Sequence, residues 1–121
     1  MEPRLKLSRG QVVLAEDDTM VRIAVAALLT EFGWDVAEAS TAADALAAIS
    51  ASTDLLIADL HLPDGNGVDL AVAARRGHPQ LPVMIATGEP MADEGDYVWL
   101  AKPFRAAALR RAIEAAISVV A

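Results

Sequence analysis

A short apolar run at residues 55–58 ends on the carboxylate of Asp59, and a loop rich in turn residues follows between Pro63 and Gly67. An apolar run of this length between turn signals is typical of a strand buried on both faces of a sheet. Asp59 is therefore expected where that strand leaves the core. Ligands of open α/β sheets bind outside the carboxyl ends of the strands, so an acid at such an end is a candidate for chemistry.

The rest of the chain alternates between strand and helix patterns. Thr19 is predicted to cap the first helix, which Gly33 ends. Thr41, with Asp44 three residues later, resembles a capping box that opens the second helix. The alternation indicates a parallel sheet wrapped by helices. Strands are predicted at 11–15, 34–39, 54–58, 81–86 and 97–101, and the remaining helices at 68–76 and about 105–120.

Composition limits the class of protein. A chain of 121 residues, 55% of them hydrophobic, is predicted to form one α/β domain at residues 11–121 behind an N-terminal arm at 1–10. The absence of cysteine excludes disulfides and thiolate metal sites. No apolar run is long enough for a bilayer, and the N-terminus lacks a signal-peptide core, so a cytoplasmic protein is expected. A formal net charge of -7 argues against direct binding to DNA or RNA.

Chemically active side chains stand at the predicted carboxyl ends of four strands. Glu16 and Asp17 follow the first strand, Asp59 the third, Thr87 the fourth and Lys102 the fifth. Converging carboxylates repel by on the order of several kcal/mol, so the cluster requires a counter-ion. Oxygen ligands without His or Cys favour a hard cation, with Mg²⁺ the leading candidate. If the ion and Lys102 held a phosphoryl group, Asp59 would act as a nucleophile and Thr87 as a hydroxyl donor.

Simpler interpretations of the single motifs are also open. Taken alone, Glu16, Asp17 and Asp18 are more often the solvated start of a helix, because acids are favourable in the first turn. Lys102 before a proline could be an ordinary surface lysine.

Taken together, the motifs resemble the receiver domain of two-component response regulators over residues 11–120. That family has an acidic pair after the first strand and the pattern D-x-x-x-P-x-x-x-G around an acceptor aspartate. A hydroxyl residue follows its fourth strand, and K-P follows its fifth. The matching residues here are Glu16-Asp17, Asp59 with Pro63 and Gly67, Thr87, and Lys102-Pro103-Phe104.

The resemblance implies a flavodoxin-like (βα)5 fold, with a doubly wound parallel five-stranded sheet in the order 2-1-3-4-5. It also implies that Asp17, Asp59 and the main-chain carbonyl of His61 bind Mg²⁺ or Mn²⁺, with Glu16 acting partly through water. The peptide bond between Lys102 and Pro103 is expected to be cis.

The implied function is that of a phosphorylated signalling switch. A histidine kinase or a histidine phosphotransfer protein would donate a phosphoryl group to Asp59. The domain would catalyse this transfer and the later hydrolysis of its own acyl phosphate. Thr87 and Trp99 are the implied switch residues, and His61 and Glu89 stand where family members tune the lifetime of the acyl phosphate.

The segment between Thr87 and Lys102 departs from the family pattern. Once a strand is placed at 97–101, residues 88–96 are too few for a full helix with its connections. The fourth helix is therefore predicted to be absent or reduced to one turn, and the A-T-G at 86–88 resembles a subset of receivers with a mobile loop there. Loss of that helix would remove half of the usual dimer face, so a monomer with an unknown downstream protein target is expected.

Alternatives from other classes conflict with particular residues. A flavin-binding module would need a hydroxyl- and glycine-rich phosphate loop where Glu16 and Asp17 stand. An aspartyl phosphatase would usually carry a second acid at the position of His61. A pseudo-receiver that only binds a partner protein is the main alternative. No enzymatic or DNA-binding output domain is recognised, so the chain is expected to be a stand-alone receiver or one excised from a longer protein.

Overall fold

The computed structural model describes residues 9–89 and 95–120, apart from the side chains of 119 and 120. Strands and helices alternate along these residues. In chain order the elements are β1 (Gly10–Ala15), α1 (Thr19–Glu31), β2 (Trp34–Ala39), α2 (Ala42–Ala48), β3 (Thr53–Asp59), β4 (His61–Leu62), β5 (Gly65–Asn66), α3 (Gly67–Gly77), β6 (Val83–Thr87), β7 (Val98–Ala101) and α4 (Ala106–Val120).

Five parallel strands form one sheet in the order β2-β1-β3-β6-β7. This order is 2-1-3-4-5 for the five predicted strands, so the flavodoxin-like fold is confirmed. The strands β4 and β5 form a separate antiparallel hairpin in the loop after β3. The hairpin was not predicted, because strands of two residues are too short to show an alternating pattern.

Helices cover both faces of the sheet. One apolar cluster joins α1 and α4 to the sheet, and a second joins α2 and α3 to the opposite face. Successive residues of β1 alternate between the clusters: Val12 and Leu14 belong to the first and Val13 to the second. All three are at most 2% exposed. Burial on both faces explains why β1 is continuously apolar from Val12 to Ala15.

The loop between β1 and α1 ends in a side-chain cap. The carboxylate of Asp18 accepts hydrogen bonds from the amides of Met20 and Val21 at 3.0 and 3.1 Å. The prediction that Thr19 is the cap was therefore wrong by one residue, because Asp18 has the extended backbone that a cap requires and Thr19 is already helical. Gly33 follows the helix with a φ of 99°, which glycine adopts without strain, and it ends the helix as predicted.

Two side chains from different parts of the chain cap α2. The hydroxyl of Thr41 accepts a hydrogen bond from the amide of Asp44 at 3.0 Å, as the predicted capping box requires. The carboxylate of Asp64, in the turn between β4 and β5, accepts hydrogen bonds from the amides of Ala42 and Ala43 at 2.7 and 2.9 Å. The hydrogen bonds from these two amides lower the pKa of Asp64. The loop that follows Asp59 is therefore attached to α2.

The connection between β6 and β7 lacks a helix in its described residues, which are Gly88, Glu89 and residues 95–97. The described residues form four helices, in agreement with a five-stranded fold in which one helix is reduced. Much of the prediction for this segment falls on residues 90–94, which lie outside the described residues, and membership of the A-T-G subset stays a prediction. None of the helices in 9–89 and 95–120 has the length and hydropathy that crossing a bilayer requires.

Candidate functional site

The carboxyl ends of four neighbouring strands bring polar side chains together. Glu16 directly follows β1, Asp59 ends β3, Thr87 ends β6, and Lys102 directly follows β7. The amide of Lys102 donates a hydrogen bond to the carbonyl of Thr87 at 2.8 Å, which extends the pairing of the two strands to the site. The structure thus places these sequence-predicted residues at one edge of the sheet.

Glu16, Asp17 and Asp59 form an acidic cluster. One carboxylate oxygen of each lies within 4.8 Å of the corresponding oxygens of the other two. Glu16 is 4% exposed, whereas Asp17 is exposed, so the cluster is open to solvent on one side. Its donors are oxygen atoms only, which is the ligand set that Mg²⁺ and Mn²⁺ prefer. These residues therefore fit a hard divalent cation.

Lys102 supplies positive charge to the cluster. Its Nζ donates a hydrogen bond to Glu16 Oε1 at 2.9 Å and lies 3.3 Å from Asp59 Oδ2. Burial by itself lowers the pKa of Lys102, but the hydrogen bond to Glu16 and the negative charges of Asp59 and Glu16 outweigh it, so the pKa is raised. The ammonium therefore stays charged at neutral pH.

Glu16 is the most buried acid of the cluster. Burial raises the pKa of its carboxyl above the ordinary value of 4.5, and the charge of Asp59 acts in the same direction. Hydrogen bonds from Lys102 and from the amide of Asp18, the latter at 3.1 Å, lower the pKa without cancelling the rise. The ionised form of Glu16 is therefore destabilised in the protein alone, and a bound cation would relieve that destabilisation.

Thr87 and the two predicted tuning residues form another edge of the site. Thr87 is 1% exposed, and its Oγ1 accepts a hydrogen bond from the amide of Glu89 at 3.0 Å. The carboxylate of Glu89 lies 2.6 Å from Nε2 of His61. The side chains two positions after Asp59 and two positions after Thr87 thus contact each other.

Trp99 lies on β7, which β6 separates from β3, the strand that ends at Asp59. It is partly buried against the apolar cluster on the α2–α3 face and stands opposite Ile85, two residues before Thr87. The peptide bond between Lys102 and Pro103 is cis. The switching role of Trp99 and the role of the His61 carbonyl as a metal ligand stay predictions.

Arg22 supports the site and was not predicted. Its Nη1 donates a hydrogen bond to the main-chain carbonyl of Glu16 at 2.9 Å, and its Nε pairs with Glu38 at 3.2 Å. These bonds hold the turn that carries Glu16 and Asp17. The only sequence signal is an arginine one turn into the helix that follows the acids. Many solvated arginines stand at such positions, so the fold was needed to identify it.

An apolar groove of about 440 Å³ adjoins the site. Lys102 belongs to both the groove and the acidic site. On α1, the helix that lines the groove, Met20 and Ile23 are 77% and 55% exposed. The groove is lined by Val21, Ala24, Val25, Leu28, Lys102, Pro103 and Phe104.

Comparison with protein families finds a match over residues 12–114 to the family described as the response regulator receiver domain. The chain is 30% identical over 106 residues to the DNA-binding transcriptional regulator NtrC of Rhizobium meliloti (strain 1021), covering 81% of this chain and 22% of that protein. It is 30% identical over 112 residues to the luminescence regulatory protein LuxO of Vibrio campbellii (strain ATCC BAA-1116), covering 86% and 25%. The chain thus spans about a quarter or less of these relatives.

Solved structures show the same likeness. The non-phosphorylated HemR receiver domain from Leptospira biflexa matches with a TM-score of 0.80 at 27% identity, covering 91% of this chain and 95% of that one. The chemotaxis protein CheY4 of Vibrio cholerae matches with a TM-score of 0.81 at 26% identity, covering 88% and 98%.

Proposed function

The chain belongs to the family of response regulator receiver domains, and from this membership we propose that Asp59 accepts a phosphoryl group from a phosphohistidine donor. The domain would then act as a switch in a two-component system or phosphorelay. The observation that carries the proposal is the position of Lys102, whose ammonium contacts both Glu16 and Asp59. A cation beside the acceptor carboxylate can neutralise charge on an incoming phosphoryl group.

The transfer is a displacement at phosphorus. A carboxylate oxygen of Asp59 forms an O–P bond while the N–P bond of the donor phosphohistidine breaks and its electron pair returns to the imidazole. Lys102 faces the phosphoryl oxygens, and the hydroxyl of Thr87 donates a hydrogen bond to one of them. Attack of water on phosphorus later releases phosphate and restores the carboxylate.

Glu16, Asp17, Asp59 and the main-chain carbonyl of His61 would hold Mg²⁺ or Mn²⁺. The bound ion would neutralise charge on the phosphoryl oxygens. The oxygen-only cluster and the raised pKa of Glu16 support this assignment, because both indicate a site that a cation would stabilise.

The proposed donor is a histidine kinase or a histidine phosphotransfer protein. The groove beside α1 supports this choice, because an apolar helix seated there would lie next to Lys102 and thus close to Asp59. The exposed side chains of Met20 and Ile23 would extend the contact.

The response to phosphorylation is assigned to the predicted switch and tuning residues. Thr87 would move from the amide of Glu89 to a phosphoryl oxygen, and Trp99 would change its packing on β7. His61 and Glu89 would tune the lifetime of the acyl phosphate, since they stand at the edge of the site.

The wider setting is also proposed. We infer a cytoplasmic monomer that passes its signal to an unidentified protein. The NtrC relative is named a DNA-binding regulator, but the region matched here is a small part of it. The net charge of -7 argues against DNA contacts by this domain.

Incubation with Mg²⁺ and a small phosphodonor, followed by intact mass spectrometry, tests the proposal. Wild type is expected to gain one phosphoryl group, and Asp59→Asn is expected to gain none. Asp44→Asn, a change of an exposed aspartate on α2, is the matched control and should behave as wild type. Addition of EDTA should abolish the gain.

The same measurement addresses the main alternative. A pseudo-receiver that only binds a partner protein would gain no phosphoryl group in wild type, and that result would overturn the proposed function. Phosphorylation that persists in Asp59→Asn would show that another residue is the acceptor.

A further inference from the structure

The contact between His61 and Glu89 joins the loop after β3 to the loop after β6. His61 Nε2 and Glu89 Oε2 are 2.6 Å apart, although the two side chains are 68% and 57% exposed. One residue stands two positions after Asp59 and the other two positions after Thr87. The pair therefore links the loop that follows Asp59, the proposed acceptor, to the loop that follows Thr87, the predicted switch residue.

Glu89 also contacts the switch residue directly. Its amide donates a hydrogen bond to Thr87 Oγ1 at 3.0 Å, so the hydroxyl already has a partner before any phosphoryl group is present. The side chain of the same residue is held by His61. The contacts form a continuous path from His61 through Glu89 to Thr87.

We propose that Glu89 is a positioning residue, whose pair with His61 holds its amide on the Thr87 hydroxyl and so favours the unphosphorylated arrangement. The inference rests on the proposed function and adds a control of its switch equilibrium. The bond leaves the O–H of Thr87 free to donate, but it holds Oγ1 at the Glu89 amide, so the pair opposes movement of this side chain toward a phosphoryl group. Breaking the pair shifts the population toward the phosphorylated arrangement.

The expected effect is small because both side chains are exposed. Pairs of this kind change an equilibrium by about two- to five-fold. The effect should appear in the affinity for a phosphoryl mimic and leave the melting temperature nearly unchanged, which separates a positioning role from a structural one.

The test is a titration of the full chain with beryllofluoride at fixed Mg²⁺. The readouts are the concentration at half-saturation, taken from tryptophan fluorescence, and the NMR signal of the Thr87 methyl group. The variants are Glu89→Gln, His61→Gln and the double variant. Glu114→Gln, a change of an exposed glutamate on α4, controls for the loss of one negative charge.

His61→Gln is the decisive variant, because beryllofluoride is an anion. A pure charge effect would leave its affinity unchanged or weaken it, whereas release of Glu89 tightens binding. We expect each single variant to bind about two- to five-fold more tightly than wild type. The double variant should bind no more tightly than either single variant, and exchange of the two residues (His61→Glu with Glu89→His) should restore the wild-type value.

Two results would overturn the inference, and they differ from each other. If wild type binds beryllofluoride but the affinity of His61→Gln is unchanged or weaker, Glu89 has no positioning role and the proposed function stays intact. Wild type that does not respond to beryllofluoride at any concentration contradicts the proposed function, and this inference with it.

Discussion

Glu16 is a residue at which the requirements of folding and of the proposed metal binding oppose each other. It is buried beside Asp59, which raises the pKa of its carboxyl. The same position gives the cluster an oxygen donor. A buried acid of this kind is expected to reduce the stability of the metal-free protein in order to serve the site.

Glu16→Gln should stabilise the metal-free protein at neutral pH. The folded-state pKa lies above the ordinary value of 4.5, so the contribution of Glu16 to stability is full below that value and is lost as the pH rises through the raised folded pKa. Wild type should therefore lose stability relative to the variant over that range. Thermal melts in EDTA across the acidic and neutral range measure the difference.

With metal, wild type should become more stable than Glu16→Gln, because it keeps the better ligand set. With Mg²⁺ near saturation, wild type should gain more in melting temperature than Glu16→Gln. A variant that is less stable than wild type at every pH without metal would contradict this account of Glu16.

Gly67 is required by the close approach of its backbone to Asp59. A Cβ at this position would lie 2.6 Å from the main-chain oxygen of Asp59 and 3.3 Å from the Cβ of Ala58. Gly67→Ala is expected to lower the free energy of unfolding by about 1–3 kcal/mol, as overpacking does. Denaturant unfolding measures this change.

Gly77→Ala is the matched control for that substitution. A Cβ at Gly77 meets no heavy atom within 4 Å, and the residue ends α3. The substitution Gly77→Ala should be neutral or stabilise the protein by up to about 1 kcal/mol. If both variants lost the same free energy of unfolding, the contact of Gly67 with Asp59 would not be the cause of the loss in Gly67→Ala.

The loop after β3 is held by several neighbouring helices and strands. Asp64 caps α2, Asn66 caps α3 through the amide of Asp69 at 2.8 Å, and the amide of Leu60 donates to the carbonyl of Ala86 on β6 at 2.8 Å. This loop is thus attached to two helices and one strand. A change at Asp59 can therefore reach elements outside the site.

Asp64→Asn should destabilise the protein at neutral pH and not in strong acid. Hydrogen bonds from the amides of Ala42 and Ala43 lower the pKa of Asp64 below 3.8. The stabilisation is therefore present above 3.8 and is lost as the pH falls through the folded pKa. Denaturant melts of wild type and variant should converge in acid.

Thr41→Ala provides the comparison at the same helix end. Loss of its cap should cost about 1 kcal/mol at every pH, because a hydroxyl does not titrate in this range. If the effect of Asp64→Asn were equally independent of pH, the role given to the carboxylate charge would be wrong.

Mg²⁺ should stabilise the folded state of the whole domain. A ligand that binds only the native state adds about 2.7 kcal/mol at one hundred times its dissociation constant. Asp17→Asn should lose most of this gain, since Asp17 belongs to the acidic cluster. Melting temperatures measured over a Mg²⁺ titration test this.

Controls are needed because the chain carries a formal net charge of -7, which any salt screens. Sodium chloride at matched ionic strength should give a smaller gain, and Asp44→Asn should respond to Mg²⁺ as wild type does. A gain of equal size in Asp17→Asn would show that screening, and not a bound ion, is responsible.

Sequence patterns predict the order along the chain of the five sheet strands and of the four described helices, and also the edge at which the candidate site lies. Apolar runs buried on both faces, such as β3, are continuous in sequence. The carboxyl ends of parallel strands share one edge, so the strand pattern is enough to group residues as distant in the chain as Glu16 and Lys102. The cap of α1 is Asp18 and not Thr19 as predicted, because both side chains are chemically able to cap a helix and only the backbone geometry distinguishes them.

The contacts between these side chains could not be predicted from the sequence and are seen in the folded protein. Lys102 donates its hydrogen bond to Glu16 as well as approaching Asp59, Arg22 holds the carbonyl of Glu16, and His61 meets Glu89. Such contacts depend on side-chain rotamers and on the register of distant segments, and neither leaves a periodic signal in the chain.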